Sequence, residues 1–367
     1  MEKVLLPSYF KINNISVTQE SPLLFNLSLG KSHFDGITLE VPDCVLFLLS
    51  IADGSKSSDE VFQETMQHFS VEKEELSETF NELVQEKILV DATLHPSSLP
   101  KRKDRYARHQ LFFESIGVNG IEAQKKINNS RVALIGAGGI GTWLSYNLSA
   151  AGVGQLTLID GDKVELSNLT RQVLFTLDDI GEYKTVAAKK RILERNPDIY
   201  VKSITQHITH PADLEDYIGD VDLIILSGDS PSNINELVND YSFKKGIPWT
   251  RAGYHYYTGV VGPMYIPGET SCFECATDTE KTSFEELPFV KDINSRFQIP
   301  SFSPVNGMAA TVAAKEALCF LAGINSWVQT TSQMFAFDTQ TLESDVIDIS
   351  TTKRCSKCQE ENQDELH

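Results

Sequence analysis

The sequence lacks any apolar run long enough to cross a membrane, and its first residues, MEKVLLPSYF, do not include the apolar core of a secretory signal. A cytoplasmic protein with no membrane partner is therefore expected. Basic residues are also scarce, because 32 Lys and Arg stand against 51 Asp and Glu, for a net charge of −19. A surface of this sign repels phosphate backbones, so we expect no nucleic-acid partner.

Cysteine is rare as well, yet four of the six cysteines form two CxxC pairs, Cys272 with Cys275 and Cys355 with Cys358. Four thiolates at this spacing predict a closed tetrahedral zinc site of structural type that ties two distant segments together. A redox-active CxxC pair is the rival interpretation. The two other cysteines lie in apolar helical patterns and are expected in the core: Cys44 and Cys319.

What the sequence does contain is a βαβ pattern over residues 131–160. The apolar run Val132–Ile135 leads into a GxGxxG turn, a helical segment to Ala151 and a second apolar run, Leu156–Ile159, which ends on Asp160. Glycines in such a turn let backbone N–H groups approach a phosphate at the helix N-terminus, and the acid after the second strand suits a ribose. The pattern predicts an α/β fold with a nucleotide site. The turn glycines are Gly136, Gly138 and Gly141.

A third apolar run, Val221–Ser227, is predicted as another strand and ends at Gly228 and Asp229. Strand carboxyl ends are where α/β sheets bind ligands, and a carboxylate there suits a hard cation such as Mg²⁺. Asp229 is therefore a candidate magnesium ligand, although it could equally cap a helix.

Residues 1–95 have a different pattern, with alternating strands followed by helices and a closing strand. The predicted strands are 24–29, 36–40 and 88–90, and the predicted helices are Asp43–Ile51, Ser58–Phe69, with Ser58 as its cap, and Val71–Glu86. This order suggests a winged-helix-like module. Residues 96–104, which are polar and contain proline, are predicted to be a linker to a second domain, 105–367.

Several blocks of the second domain resemble the ThiF/MoeB/E1 superfamily, whose members adenylate a carboxylate with ATP. The blocks are RYxRH, GAGGIG, LIDxDxVExSNLxRQ, DIGxxKxxAAKxR and NP, in order over residues 105–360. The resemblance implies a Rossmann-like doubly wound sheet with a crossover loop at 276–303. No cysteine occurs from 276 to 318, so the thioester relay of ubiquitin-like activators is not expected.

The resemblance also implies roles for individual residues. Arg171 and Lys184 would hold the triphosphate of ATP with support from Asn168, and Asp160 would bind the ribose. Asp229 would bind magnesium, and Arg108 would enter the neighbouring subunit's site in a homodimer. The implied catalytic set is Arg108, Arg171, Lys184 and Asp229, and the implied nucleotide-binding set is Gly136, Gly138, Gly139, Gly141, Asp160, Asp162, Asn168, Arg171 and Lys184.

The block from Asn294 to Asn306 resembles the branch that contains the microcin C7 enzyme MccB and the pantocin A enzyme PaaA, with Arg251 where asparagine is expected in the microcin enzyme. In that branch a front domain binds the leader of a ribosomally made precursor peptide as an added strand. A dimerisation or spacer domain is the other interpretation of residues 1–95.

The expected activity is ATP- and Mg-dependent adenylation of a carboxyl or carboxamide on such a peptide, in the maturation of a peptide antibiotic. The outcome would be glutamate cyclisation of the pantocin A type or nucleotide attachment of the microcin C7 type. Sulfur-carrier adenylation and a non-catalytic peptide-presenting protein are the alternatives. An NAD-dependent dehydrogenase is a poor option, since hydride transfer would not use Arg171, Lys184 and Asp229.

Overall fold

In the computed structural model, two units separate by their internal contacts, Met1–Lys125 and Lys126–His367. The structure describes residues 41–86, 88–92, 105–277 and 300–349, together with the backbone of four strands before residue 41. The proposed linker and most of the predicted crossover loop lie outside these residues, as do Cys355 and Cys358. Among the described helices, none has both the length and the apolar character that crossing a bilayer requires.

The first unit contains two three-stranded antiparallel sheets, in the orders β5-β1-β6 and β2-β3-β4. The two predicted early strands pair with each other as β3 and β4, whereas the predicted closing strand is β6 in the other sheet. The strands are β1 (Tyr9–Ile12), β2 (Ser16–Ser21), β3 (Leu24–Ser28), β4 (Ile37–Glu40), β5 (Asp53–Ser57) and β6 (Leu89–Asp91).

The helices of the first unit bury one apolar face. Leu48, Phe80 and Ile88 are fully buried in its core, and Cys44 packs against the same cluster. The helices are α1 (Asp43–Ile51), α2 (Ser58–His68), α3 (Lys73–Gln85), α4 (Ala107–Ser115) and α5 (Gly120–Asn129), of which α5 ends in the second unit.

The predicted cap of α2 is wrong by one residue. Ser57, not Ser58, is the N-cap, because its backbone is extended and its hydroxyl accepts a hydrogen bond from the Glu60 N–H at 3.3 Å. The Glu60 carboxylate accepts from the Ser57 N–H at 2.7 Å in return. This reciprocal pair satisfies two backbone donors that a cap at Ser58 would leave open.

The second unit is built on a mixed eight-stranded sheet in the order β14-β13-β12-β11-β10-β7-β8-β9. The five neighbouring strands β9, β8, β7, β10 and β11 are parallel. At the other side of the sheet, β11, β12, β13 and β14 pair antiparallel in succession. The strands are β7 (Arg131–Ile135), β8 (Gln155–Ile159), β9 (Tyr200–Ile204), β10 (Leu223–Leu226), β11 (Trp249–His255), β12 (Thr258–Tyr265), β13 (Gln333–Asp338) and β14 (Ser344–Asp348). The predicted α/β class and the βαβ unit over residues 131–160 are confirmed.

Helices cover the parallel part of this sheet. One face packs against α8 and α9 through a core that includes Ile135, Ile224 and Leu226, while α6 packs against α7 and α11. From β7 the chain adds β8 and β9 on one side and then β10 and β11 on the other, so the strand order reverses between β7 and β10. Doubly wound sheets open a ligand crevice at such a point. The helices are α6 (Gly139–Ala151), α7 (Lys184–Arg195), α8 (Pro211–Tyr217), α9 (Ile234–Lys245), α10 (Phe273–Ala276) and α11 (Ser303–Leu321).

The strand predicted at Val221–Ser227 is confirmed only in its central part, since β10 covers Leu223–Leu226. The Asp222 carboxylate, and not a backbone carbonyl of this segment, accepts from the backbone N–H of Arg131 at 2.8 Å, and it pairs with the Arg131 guanidinium at 2.9 Å. Asp220 pairs with the same guanidinium. The ion pair joins β7 and β10 at the end of the sheet opposite the crevice.

Helix α11 is anchored by a buried carboxylate. Glu316 is 2% exposed and accepts hydrogen bonds from the backbone N–H groups of Gln329 and Thr330, at 2.7 and 2.9 Å, and from the Thr330 hydroxyl at 2.9 Å. Lys315 pairs with its other oxygen at 2.7 Å. Since β13 begins four residues after Gln329, this carboxylate fixes the helix to the antiparallel side of the sheet.

Replacing Glu316 with alanine should therefore lower the free energy of unfolding by about 3 kcal/mol, because the buried N–H and hydroxyl of Thr330 and the part-buried N–H of Gln329 lose their acceptor. The measurement is chemical unfolding followed by circular dichroism. Glu343→Ala, at an exposed carboxylate of the same unit, is the control and should stay within about 0.5 kcal/mol of the wild type. A Glu316→Ala protein as stable as this control would contradict the anchoring role.

Candidate functional site

The site begins at the loop between β7 and α6. Gly136 has φ +97°, and a Cβ at this position would come within 2.6 Å of the backbone nitrogen of Gly228. Only glycine therefore lets the loop after β7 lie directly on the loop after β10. A side chain at Gly141 would collide with the carbonyl oxygen of Gly136, whereas Gly138 faces open space. The predicted glycine turn is thus a tight loop whose open side is at the N-terminus of α6, where backbone N–H groups can hold a phosphate.

Asp160 follows β8 and closes the same loop. Its Oδ2 accepts from the backbone N–H of Ala137 at 2.7 Å, and its Oδ1 accepts from the N–H of Asp162 at 2.8 Å. Each carboxylate oxygen retains a second acceptor site, so the group can still accept hydrogen bonds from ribose hydroxyls. Asp160 thereby fixes the glycine loop and points an acceptor at the crevice.

Lys184 and Asp162 form a pair at the start of α7. The Lys184 ammonium donates to Asp162 Oδ2 at 2.7 Å, and the Lys184 backbone N–H donates to the Asp162 carbonyl at 2.9 Å. The lysine side chain is 9% exposed and the aspartate side chain 55%. A buried cation beside an exposed carboxylate gives the site a fixed positive group next to the crevice.

Arg171 lies at the other side of the glycine loop. It follows a 3-10 turn in which Asn168 is buried, accepts from the Glu165 N–H at 3.1 Å and offers its carbonyl to the Arg171 N–H at 3.0 Å. The Arg171 side chain donates to the Ser167 carbonyl at 3.1 Å. A Cβ on Gly139 would lie 3.5 Å from Arg171 Cγ. Asn168 therefore builds the turn that holds Arg171 against the first residue of α6.

A cavity of about 150 Å³ opens between these loops at the carboxyl ends of β7, β8 and β10. It brings together four of the residues singled out from the sequence, Gly136, Asp160, Asp162 and Asp229. Asp229 is exposed there, on the loop that leads from β10 to α9. Carboxylate oxygens are ligands that Mg²⁺ uses in proteins, so Asp229 remains a candidate magnesium ligand.

The sequence alone did not single out two further groups. His207 lines the cavity, its ring packs over Gly161, and its Nε2 lies 3.7 Å from Asp162 Oδ1. Asn306, on α11, is 1% exposed, donates to the Phe302 carbonyl at 2.8 Å and meets Gly139 with its Oδ1. His207 belongs to no motif predicted from the sequence, and Asn306 was noted only as the last residue of the block from Asn294 to Asn306, with no role in the site. Each lies more than forty residues along the chain from the glycine that it approaches.

The remaining predicted site residues lie elsewhere. Arg108 is exposed on α4 in the first unit. Cys272 is fully buried before α10, and Cys275 is half-buried on that helix. Among the residues whose side chains are described, no three or more His, Cys, Asp or Glu side chains converge to hold a metal ion. Cys319, which the sequence predicted to lie in the core, is 3% exposed, and burial raises the pKa of its thiol.

Comparison with known proteins agrees with this geometry. The sequence profile of the ThiF family matches residues 106–359. Among curated proteins, the chain is 31% identical over 222 residues to the sulfur carrier protein ThiS adenylyltransferase of Escherichia coli, an alignment that covers 60% of this chain and 82% of the enzyme.

Solved structures match over a greater length. A crystal structure of E. coli MccB with MccA-N7isoASN superposes with a TM-score of 0.79 at 26% identity, covering 95% of this chain and 99% of MccB. Another crystal structure of MccB contains ATP and has a TM-score of 0.76. PaaA superposes with a TM-score of 0.69 at 26% identity over 92% of this chain and 99% of PaaA. Because the family profile covers well over half of the 367 residues, this chain belongs to the ThiF family of adenylyltransferases.

Proposed function

We propose that this protein uses ATP to adenylate a carboxyl or carboxamide group of a ribosomally made precursor peptide, in the maturation of a peptide antibiotic. The observation that carries the proposal is the share of this chain that each known protein matches. MccB covers 95% of this chain, including its first unit, whereas the alignment with the ThiS adenylyltransferase covers 60%. Crystal structures of MccB include one with ATP and one with both AMPCPP and MccA.

The nucleotide would lie along the carboxyl edge of the sheet. Asp160 would bind the ribose, the N–H groups around Gly138 and Gly139 the phosphates, and Arg171 and Lys184 their negative charge. The attacking carboxylate oxygen would form a bond to the α-phosphorus while the bond from that phosphorus to the bridging oxygen breaks and pyrophosphate leaves. Positioned cations lower this barrier because two anions must come together.

Magnesium fits the site through the exposed carboxylate of Asp229, in the cavity that Asp160 and Asp162 also line. A bound Mg²⁺ would neutralise charge on the phosphates. Asp162 pairs with Lys184 at 2.7 Å, so the ammonium has a partner before the nucleotide arrives. When the nucleotide binds, Asp162 would release the ammonium to a phosphate.

The first unit would supply peptide recognition. The sheet β2-β3-β4 has two edge strands, β2 and β4, and an extended leader can add to such an edge through main-chain hydrogen bonds. This arrangement supports a winged-helix-like leader-binding domain over residues 1–95. The acidic balance of the chain, with 51 acidic and 32 basic residues, suits a neutral or basic leader.

A zinc site made of Cys272, Cys275, Cys355 and Cys358 would close the second unit. Ile349, the last described residue, packs on the same core cluster as Phe273, which lies between the two cysteines of the first pair, and Ala276, which follows them. Cys355 is six residues further on, and six residues span at most about 20 Å. The second pair therefore starts within reach of the first, and four thiolates leave no open position for catalysis.

The substrate class is tested with the purified enzyme, MgATP and two kinds of substrate. One set is the peptides encoded by short reading frames beside the gene, and the other is a sulfur carrier protein ending in Gly-Gly. We expect pyrophosphate release and a mass change only with one of the peptides. Release with the carrier protein and none with any peptide would support the second candidate function, sulfur-carrier adenylation, which the 31% identity to the ThiS enzyme favours.

The homodimer is tested by subunit mixing. Arg108→Ala and Arg171→Ala should each lose roughly 100-fold or more in rate, since each removes a cation that offsets charge in the transition state. If Arg108 serves the partner's site, heterodimers of the two variants contain one intact site, and the mixture should regain roughly a quarter of the wild-type rate. Subunit exchange is verified by native mass spectrometry. Proven heterodimers without recovered activity would exclude a shared site.

The zinc site is tested by metal analysis of the purified chain. About one zinc per chain is expected, and Cys355→Ser should lose the metal and lower the melting temperature because metal binding is coupled to folding. Cys44→Ser, at a half-buried cysteine of the first unit, is the matched control and should retain zinc. An active, fully folded wild-type protein that contains no zinc would refute this site.

A further inference from the structure

Arg251 is a partly buried cation at the carboxyl end of the parallel sheet. It lies on β11 in register with Leu226, the last residue of β10, and the loop carrying Asp229 begins directly after Leu226. Adjacent strands lie about 5 Å apart. Arg251 is therefore a close neighbour of the loop that bears the proposed magnesium ligand.

The guanidinium of Arg251 is held in place by neutral groups. One N–H donates to Asn235 Oδ1 at 3.3 Å, and the group lies over the Phe273 ring at 5.6 Å from its centroid. Within the part of the chain that the structure describes, no carboxylate forms an ion pair with it. A planar cation with five donors, fixed and with no counter-ion among the described residues, is suited to bind an anion through two parallel hydrogen bonds.

Space for that anion exists beside Arg251. Side chains alternate along a strand, so the next residue on the same face of β11 is Gly253. A Cβ built on Gly253 would meet no atom within 4 Å. The side of β11 that follows the guanidinium is therefore open to a ligand.

The order of the strands distinguishes the two anions that could fill this space. Along the carboxyl edge, Asp160 follows β8, the glycine loop follows β7, Asp229 follows β10, and Arg251 lies on β11. A nucleotide with its ribose at Asp160 and its phosphates at the glycine loop ends near Asp229. Arg251 lies one strand beyond Asp229, outside the row of groups assigned to the nucleotide.

We propose that Arg251 binds a carboxylate of the peptide substrate, so that the enzyme selects a peptide acid over the corresponding amide. This inference rests on the proposed function and deepens it by naming the chemical group that is recognised. Arg251 acts through binding and specificity; the reacting phosphate is bound by the glycine loop, Arg171 and Lys184.

The test measures peptide affinity by calorimetry in the presence of Mg²⁺ and AMPCPP, so that no chemistry intervenes. The probes are the peptides from the reading frames beside the gene, each made as the free acid, as the C-terminal amide, and with every Asp or Glu replaced by its amide. The full-length proteins compared are the wild type, Arg251→Gln, Arg251→Lys, Gly253→Val and the control Lys190→Gln, which changes an exposed cation on α7.

Wild-type enzyme and Lys190→Gln should bind one peptide acid roughly 10- to 100-fold more tightly than its amide, as expected for a hydrogen-bonded ion pair. Arg251→Gln should bind both forms equally, and Arg251→Lys should retain part of the preference. Gly253→Val should weaken binding of the acid by filling the open space, which keeps the inference testable if Arg251→Gln does not fold. AMPCPP affinity should remain the same in all variants.

Unchanged preference for the acid in Arg251→Gln would overturn the inference, as would a loss of AMPCPP affinity, which would assign Arg251 to a phosphate. A wild-type enzyme that binds and adenylates a peptide but treats acid and amide alike would reject the role of Arg251 alone. A wild-type enzyme that binds none of the peptides would reject the proposed function and, with it, this inference.

Discussion

Backbone contact between the loop after β7 and the loop after β10 is the constraint on which the candidate site depends. The two strands are neighbours in the sheet, and a Cβ on Gly136 would come within 2.6 Å of the Gly228 nitrogen. Without this close approach the two loops would separate, and Asp229 would leave the cavity that Asp160 lines. A single position without a side chain thus sets the distance between Asp160, the proposed ribose ligand, and Asp229, the proposed magnesium ligand.

Charge balance explains the rest of the arrangement. Three carboxylates, Asp160, Asp162 and Asp229, line a cavity of about 150 Å³ that a polyanion is proposed to enter. Two backbone N–H groups donate hydrogen bonds to Asp160, and Lys184 forms an ion pair with Asp162. Asp229 is the proposed ligand of a divalent cation, and Arg171 lies beside Gly139 at the N-terminus of α6. Fixed dipoles and pairs of this kind are already oriented before substrate binds, which lowers the reorganisation that catalysis requires.

The sequence predicted those parts of the structure that local pattern controls. The βαβ unit of residues 131–160 was predictable because two apolar runs and the intervening glycines leave one arrangement of strand, turn and helix. The start of β10 was not predictable, because the Asp222 carboxylate takes the backbone N–H of Arg131, which is far away in sequence. His207 and Asn306 could not be assigned to the site either, since only tertiary folding brings them to Gly161 and Gly139. The cap of α2 was missed by one residue because two serines compete and backbone geometry decides.

Helix α11 connects two places that the chain otherwise separates. Asn306 touches the first residue of α6 near its beginning, and ten residues later Glu316 is bonded to the segment that leads into β13. Ten residues of α-helix measure about 15 Å. The helix therefore acts as a stiff rod between the glycine loop and the antiparallel edge of the sheet. Any load on that edge, such as a protein pressing on β13 or β14, would be transmitted mechanically to the backbone that is proposed to hold the phosphates.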